Sequence, residues 1–414
     1  MTQHDVVIVG GSLAGSAAAV LYGRRGLDVA VLERSADPKA YKTVCTTFIQ
    51  ASATATIERL GLAPGLDAAG AIHNGIAMWT RWGWIVPERD PRSRHAAYGY
   101  SARRQTLDPM LRDLAEATPG VAMLRGATAT GLLRDGRRVS GVVARGRDGE
   151  TVELRARLVV GADGRASTVA KLAGVEAKER PHGRIAYAAH YRGVPLRFGT
   201  RSQMWLLDPD AAYVFPQDDG VTILAAMPAR ARLAEFRADP EAALLRTFDA
   251  LPDAPSLEGI ERVSDVLGRV DMTNLSRPPA RPGLALAGDA AMASDPLWGI
   301  GCGFALQSAE WLADATGPAL AGGGDVDRAL KRYALKHRFK LTGHHLMSAD
   351  YATARTFSPV ERLLFAGAAR DEKLARRLEA FGTRQIGPAR FLAPTTLARA
   401  ALVRRREPRI PAAA

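Results

Sequence analysis

Apolar positions first gather into a short run, Val6 to Val9, followed by a glycine turn and an apolar helical stretch to about Arg25 that Gly26 stops. A brief apolar run ended by glycine predicts a strand, and Val29 to Leu32 predicts a second one. Strand, helix and strand in this order predict a βαβ unit. Further on the period changes to two: Ile185 to Tyr191 and Val221 to Met227 alternate as strands of a mostly antiparallel sheet. Pro240 to Leu251 reads as a helix ended by Pro252.

Two later segments repeat the strand-then-glycine pattern. Arg157-Leu-Val-Val-Gly161-Ala-Asp163-Gly164 is an apolar strand leading to a helix capped near Ser167. Leu284-Ala-Leu-Ala-Gly288-Asp289 is another, followed by Asp295-Pro296-Leu-Trp-Gly299-Ile-Gly301-Cys302-Gly303. Leu306, Ala309, Leu312 and Ala313 then recur at helical spacing, so Gly299 to Gly303 is a loop feeding a helix start. Gly322 to Gly324 marks a joint. Helices follow, among them one with Ser358-Pro359-Val-Glu361 as a capping box, stopping near Gly382. The tail from Leu392 to Arg406 mixes Leu and Arg and reads as a solvated terminal helix, with contact to a membrane or partner as the alternative.

At 414 residues and 47% hydrophobic, the chain can bury a full core and is long for one domain. Val6 to Leu21 lacks a basic flank and holds glycines at its centre, which excludes a signal peptide; no other apolar run predicts stable membrane insertion. Cys45 and Cys302 show no metal-ligand or CxxC spacing, so no metal is expected, and a cytoplasmic location is. The net charge of +13 is spread out, with a denser patch at Arg404 to Arg406 and Arg409. It fits a solvated arginine surface, or attraction of NAD(P)H or of a small-molecule substrate carried on an acidic protein. No nucleic-acid module accompanies these arginines.

The first turn carries chemistry. Gly10, Ser12 and Gly15 occupy the three positions of a dinucleotide fingerprint, Ser replacing its middle glycine. Ser12, Leu13 and Ala14 lie at the helix start, where free N–H groups favour a pyrophosphate. Glu33, followed by Arg34, stands where a carboxylate accepts from a ribose 2′-OH. FAD unites this site with the later motifs. Asp289 can accept from ribityl hydroxyls, and the helix after Gly301 can aim N–H groups at the flavin edge that gains negative charge on reduction. Such a helix end supplies roughly 0.3–1 kcal/mol, up to about 2 when partly buried.

The ordered set resembles the single-component FAD-dependent monooxygenase superfamily of the p-hydroxybenzoate hydroxylase type, which also contains geranylgeranyl-type reductases and flavin-dependent halogenases. It comprises the N-terminal glycine motif, Arg104-x-x-Leu-Asp108, Gly161-Ala-Asp-Gly164, Gly288-Asp-Ala-Ala291 and Pro296-x-x-Gly-x-Gly301. The resemblance implies that Arg104 contacts FAD, that Asp289 holds the ribityl chain, and that Gly299, Gly301, Cys302 and Gly303 meet the ring edge. Asp163 would support the fold around the cofactor, and Pro296 would lie at the flavin face. Lys42-Thr-Val-Cys45 resembles the Lys-x-Cys segment beside the flavin in the reductase branch, which makes Cys45 a candidate catalytic residue. Met292 stands where the family has His, Gly303 where it has Asn, and Ala170 (beside Lys171) where it has Arg. The first two place the chain nearer the reductases and halogenases.

The implied fold is α/β: a Rossmann-like FAD-binding domain (1–72, 101–174 and 270–325), an inserted mostly antiparallel substrate sheet (73–100 and 175–269), and a C-terminal helical region (326–414). Trp82-Gly-Trp84-Ile-Val-Pro87 matches a halogenase signature, but it precedes Asp163 instead of following it, so it reads as a tryptophan-rich strand over the substrate cavity. Trp82, Trp84, Tyr191, Tyr213 and Phe215 are expected as pocket walls. The expected activity is NAD(P)H-driven monooxygenation of a bulky organic substrate. The alternatives are a flavin-dependent C=C reductase or dehydrogenase, and, from another class, a flavin redox sensor acting through a partner.

Overall fold

The computed structural model describes residues 2–88, 96 and 98–409, so part of the 73–100 insertion lies outside the described residues. Thr2–Val9 pairs in parallel with Val29–Glu33 on one side and with Thr151–Gly161 on the other. Leu284–Leu286 extends the sheet beyond Thr151–Gly161, and Val121–Arg125 extends it beyond Val29–Glu33. The Leu13–Gly23 helix connecting the first two strands is buried along its whole length. Its alanines explain why: a helix apolar all round is covered on every side. Gly301–Ala321 and Arg104–Glu116 pack beside it, and a Tyr22 to Thr316 hydroxyl hydrogen bond of 2.6 Å ties the first helix to Gly301–Ala321.

The second sheet runs in the order Glu261–Arg262, Ala186–Arg192, Thr222–Met227, Ala211–Pro216, Ser202–Leu206, Ile76–Thr80 and Gly83–Ile85. Its pairings are antiparallel except between Ser202–Leu206 and Ile76–Thr80. One face packs on the helices Leu233–Ala238 and Pro240–Asp249 through Trp205, Phe236 and Phe248. The other carries Met78, Met204, Tyr213, Phe215 and Ile223 toward Phe48, Leu297 and the C-terminal helices.

The helix Val326–Tyr351 runs from one core to the other, contributing Tyr333 and Leu341 to the first and Tyr351 to the second. The helix capped by Ser358 ends at Ala368 instead of continuing to Gly382. A new helix, Glu372–Gly382, begins there because the Asp371 side chain accepts from the Leu374 N–H at 3.0 Å. The terminal helix is solvated, as its sequence suggested, along one side only. Pro394–Val403 buries Thr396, Ala400 and Val403, a stripe at i, i+4 and i+7, against the Pro359–Ala368 helix. A Cβ on Gly367 would come within 3.0 Å of the Ala400 Cβ, so glycine permits this close crossing.

The Ser358 capping box is complete: its hydroxyl accepts from the Glu361 N–H at 3.3 Å, and the Glu361 carboxylate accepts from the Ser358 N–H at 2.7 Å. A Ser358→Ala variant should lose about 1 kcal/mol of stability in chemical denaturation. An unchanged midpoint would mean that packing alone sets this helix start.

Candidate functional site

The strand ending at Val9 must turn sharply to feed the Leu13–Gly23 helix. Gly10 has φ +104°, and a Cβ there would lie 2.5 Å from the Ala162 carbonyl oxygen. A Cβ on Gly15 would lie 1.7 Å from the Gly10 carbonyl oxygen, so any side chain would break the turn. The Ser12 side chain does not cap its own helix. Its hydroxyl accepts from Arg104 Nη2 at 2.9 Å, leaving the helix-start N–H groups free for an anion. Glu33 accepts from the Gly11 and Ser35 N–H groups, both at 2.8 Å, which fixes its carboxylate at the rim of the turn. Arg34, next in sequence, is exposed.

A second helix start meets the first. A Cβ on Gly288 would lie 3.0 Å from the Ala14 Cβ, so the Gly288–Ala290 turn rests against the first helix. Asp289 lies between the two starts, with Oδ1 4.0 Å from the Cβ position of Gly301. Lys42 Nζ donates to Asp289 Oδ2 at 3.1 Å. Burial pushes the Asp289 carboxyl up, but Lys42, with Arg165 and Arg104, outweighs it and holds the group below the usual range. Asp289 in turn holds the Lys42 ammonium above its usual range. Arg104 is buried and paired through two bonds to Asp108, at 2.7 and 2.8 Å, and Asp108 also accepts from the Lys42 N–H at 3.0 Å. Gly301–Ala321 has no side-chain cap and no acid in its first turn, so its N–H groups are open as well.

Between these parts lie the two cysteines. Cys45 Sγ and Cys302 Sγ are 3.7 Å apart, and the Thr47 N–H donates to Cys45 Sγ at 3.3 Å. The hydrogen bond from Cys302, helped against burial by Arg104, Lys42 and the Thr47 N–H, holds the Cys45 thiol well below its usual range. Cys302 moves the other way, because its hydrogen bond to Cys45 and its burial both favour the neutral thiol. Cys45 is therefore the more acidic of the two thiols. Its alkylation by iodoacetamide should fall less steeply from pH 9 to pH 7 than that of an ordinary thiol of pKa about 8.5. Cys302 should react only after unfolding. Peptide mass spectrometry reads both rates, and a tenfold drop per pH unit at Cys45 would refute the assignment.

Asp163 supports the fold: it accepts from the Ser167 hydroxyl at 2.6 Å and the Val169 N–H at 3.0 Å, organising the next helix start. Pro296 opens the Pro296–Trp298 turn, which Asp295 fixes by accepting from the Leu297 N–H at 2.7 Å and by pairing with His182. Gly299 follows it at φ +61°. Of the expected pocket walls, Tyr213 and Phe215 face the site side, Phe215 with its ring 5.6 Å from Phe48. Trp84 and Tyr191 do not. Both are buried on the opposite face of the sheet, where the Trp84 indole N–H donates to Asp253 at 2.8 Å. Trp82 packs near Phe357, with ring centroids 6.2 Å apart, and borders the C-terminal helices.

Two functional candidates carried no local sequence signal. Gln50, fully buried, donates to the Trp298 and Gly382 carbonyl oxygens at 2.8 and 2.6 Å. Arg384 donates through Nε to Gln50 Oε1 and lies over the Phe304 ring at 4.7 Å. Its Nη2 stands 2.3 Å from the Cβ position of Gly303. The glycine there, in place of the family's asparagine, leaves room for this guanidinium.

A profile of the FAD binding domain family matches residues 3–338. Over 345 residues the chain is 31% identical to digeranylgeranylglycerophospholipid reductase 1 of Methanopyrus kandleri, covering 80% of this chain and 85% of that protein. It is 35% identical to the 6-methylpretetramide 4-monooxygenase of Streptomyces rimosus over 175 residues, 41% of each chain. Among solved structures, the flavin-dependent brominase Bmp2 superposes with a TM-score of 0.80 over 97% of this chain and 98% of that one, at 19% identity, a likeness of fold.

Proposed function

The chain belongs to the FAD binding domain family of oxidoreductases, and on that premise we propose that it is a flavin-dependent reductase of carbon–carbon double bonds in a mainly hydrocarbon or aromatic substrate, with NAD(P)H as electron donor. The residues fit FAD. The glycine turn leaves space that a Cβ would fill, two uncapped helix starts supply N–H donors, and Asp289 lies between them. In this reading, Ser12 to Ala14 and Arg104 hold the pyrophosphate region, Glu33 the adenosine ribose and Asp289 the ribityl chain. The flavin, when bound, supplies hydride to one carbon of the double bond.

The observation that carries the proposal is the cysteine pair. Reduction of a C=C bond needs a proton at the second carbon, and Cys45 and Cys302 hold one between sulfurs 3.7 Å apart. Cys45 Sγ, the less buried sulfur and the more acidic of the two thiols, hands its proton to the substrate, and solvent restores it after turnover. Lys42 and Arg104 balance the thiolate that remains. Similarity to the Methanopyrus reductase extends over most of both chains, which supports reduction over the hydroxylation that the motifs alone put first. The half-length likeness to the Streptomyces monooxygenase keeps hydroxylation as the second reading.

Isotopes separate the two. With NAD(P)H, FAD-loaded protein and a polyprenyl or quinone substrate in deuterated water, the product should gain two hydrogens, one of them deuterium. Incorporation of label from ¹⁸O₂ would overturn reduction in favour of hydroxylation.

A further inference from the structure

Behind the Trp298–Ile300 turn lies a cavity of about 300 Å³, walled largely by the C-terminal helices. Its lining is mainly apolar, including Trp298, Ile300, Phe365 and Phe381. Two carboxylates also line it, Asp350 and Glu361, and both are already paired with Arg355, at 2.5 and 2.7 Å. Arg384 is the lining cation left over. Its Nε is satisfied by Gln50, yet its Nη2 is buried with no hydrogen-bond partner among the described residues. Burial pushes this guanidinium down to about 9. A buried donor without a partner costs about 1–3 kcal/mol, more when charged, unless something accepts from it. Arg384 is also held at φ +60°, a conformation that non-glycine residues adopt only where their surroundings impose it.

We propose that Arg384 is the anion-binding residue of this cavity, and that the cavity takes a compact, mainly hydrocarbon or aromatic molecule bearing one carboxylate. A guanidinium suits a carboxylate because its N–H groups form a planar fork. The volume, at the low end of ligand pockets at about 300–1,000 Å³, selects a compact ligand or one compact end of a larger one. Gln50 orients the guanidinium and ties it to the Trp298 carbonyl oxygen, so occupancy is mechanically linked to the turn leading into Gly301. That the occupant is the substrate, and not a separate effector, rests on the flavin reading above.

The test compares 2-naphthoate with its neutral analogue 2-naphthamide, by calorimetry on FAD-loaded protein. The wild type should bind the acid at least tenfold more tightly. Arg384→Gln should abolish the preference while leaving the affinity for the amide within about twofold, and Arg384→Lys should keep part of it. Equal binding of acid and amide by the wild type would overturn the proposal, a comparison that stands even if a variant does not fold. So would an Arg384→Gln protein that retains the preference, or one whose ligand-free flavin spectrum shifts while the preference persists. FAD content is measured on the same samples: loss of FAD with the acid preference intact would count against the cofactor reading alone.

Discussion

A Cys45→Ala variant is expected to bind FAD as the wild type does and to turn over roughly 10²- to 10⁴-fold more slowly, the usual worth of a positioned proton donor. Cys45 is not among the residues forming the glycine turn or the Asp289 contact, so cofactor content, read from flavin absorbance after denaturation, should hold. The NAD(P)H-driven reduction of the flavin should also persist, because the defect falls on protonation of the substrate. Cys302→Ala should be milder, since Cys45 keeps Lys42, Arg104 and the Thr47 N–H as neighbours. A fall of less than threefold in kcat for Cys45→Ala, with solvent deuterium still entering the product, would remove the sulfur pair from the chemistry.

The second large effect is acid sensitivity of the C-terminal half. His337, His344 and His345 are buried on one helix, and burial pushes each imidazole down to about 4. Neighbouring cations add to this, Arg384 at His344 and Arg180 at His345, and His345 at His337. Among the described residues, His345 makes one hydrogen bond, with Ser294 at 2.6 Å, and neither ring nitrogen of His337 has a partner. An unfolded histidine titrates near 6.5, so between pH 6.5 and 4 the unfolded chain binds more protons than the folded one. Stability is therefore complete above pH 6.5 and falls as the pH drops. Each histidine should remove about 2 kcal/mol by pH 5 and about 3 kcal/mol by pH 4. Thermal unfolding from pH 7.5 to 4.5 should show a steep loss, and His337→Phe should recover its share at pH 5 without a matching gain at pH 7.5. A flat profile would mean that these rings are charged in the folded protein.

The first layer was legible because its constraints are local. A βαβ turn needs Gly10 and Gly15 within a few residues of the helix they start, and Gly26 ends that helix at φ +74°. The loop before Gly301 announced itself in the same way. The second sheet was harder to read for a physical reason: both faces are covered. Ala211–Pro216 and Thr222–Met227 are buried at every position, so hydrophobic alternation cannot say which side faces the site. Tyr191 lies on a strand that does alternate, but its buried positions, Tyr187, Ala189 and Tyr191, face the Leu233–Ala238 and Pro240–Asp249 helices, as Trp84 does, and not the site. Gly83, the first residue of the tryptophan strand, at φ +108°, further upsets the count along it. The packed side of the tail was missed because its arginines are conspicuous, whereas the stripe that packs is two small residues and one valine. Arg384 had no local signal at all. Its significance comes from Gly303 and Gln50, both remote in sequence.

The strand order has a consequence for synthesis. Val6 to Val9 need Leu158 to Gly161 on one flank, and that strand in turn needs Leu284 to Leu286. The helix that covers Leu13–Gly23 arrives later still, ending at Ala321. On a ribosome adding about 5–20 residues per second, the opening segment thus waits roughly 15–60 s for its last neighbours. During that interval an apolar strand edge is exposed on the nascent chain, an invitation to chaperones and to aggregation alike.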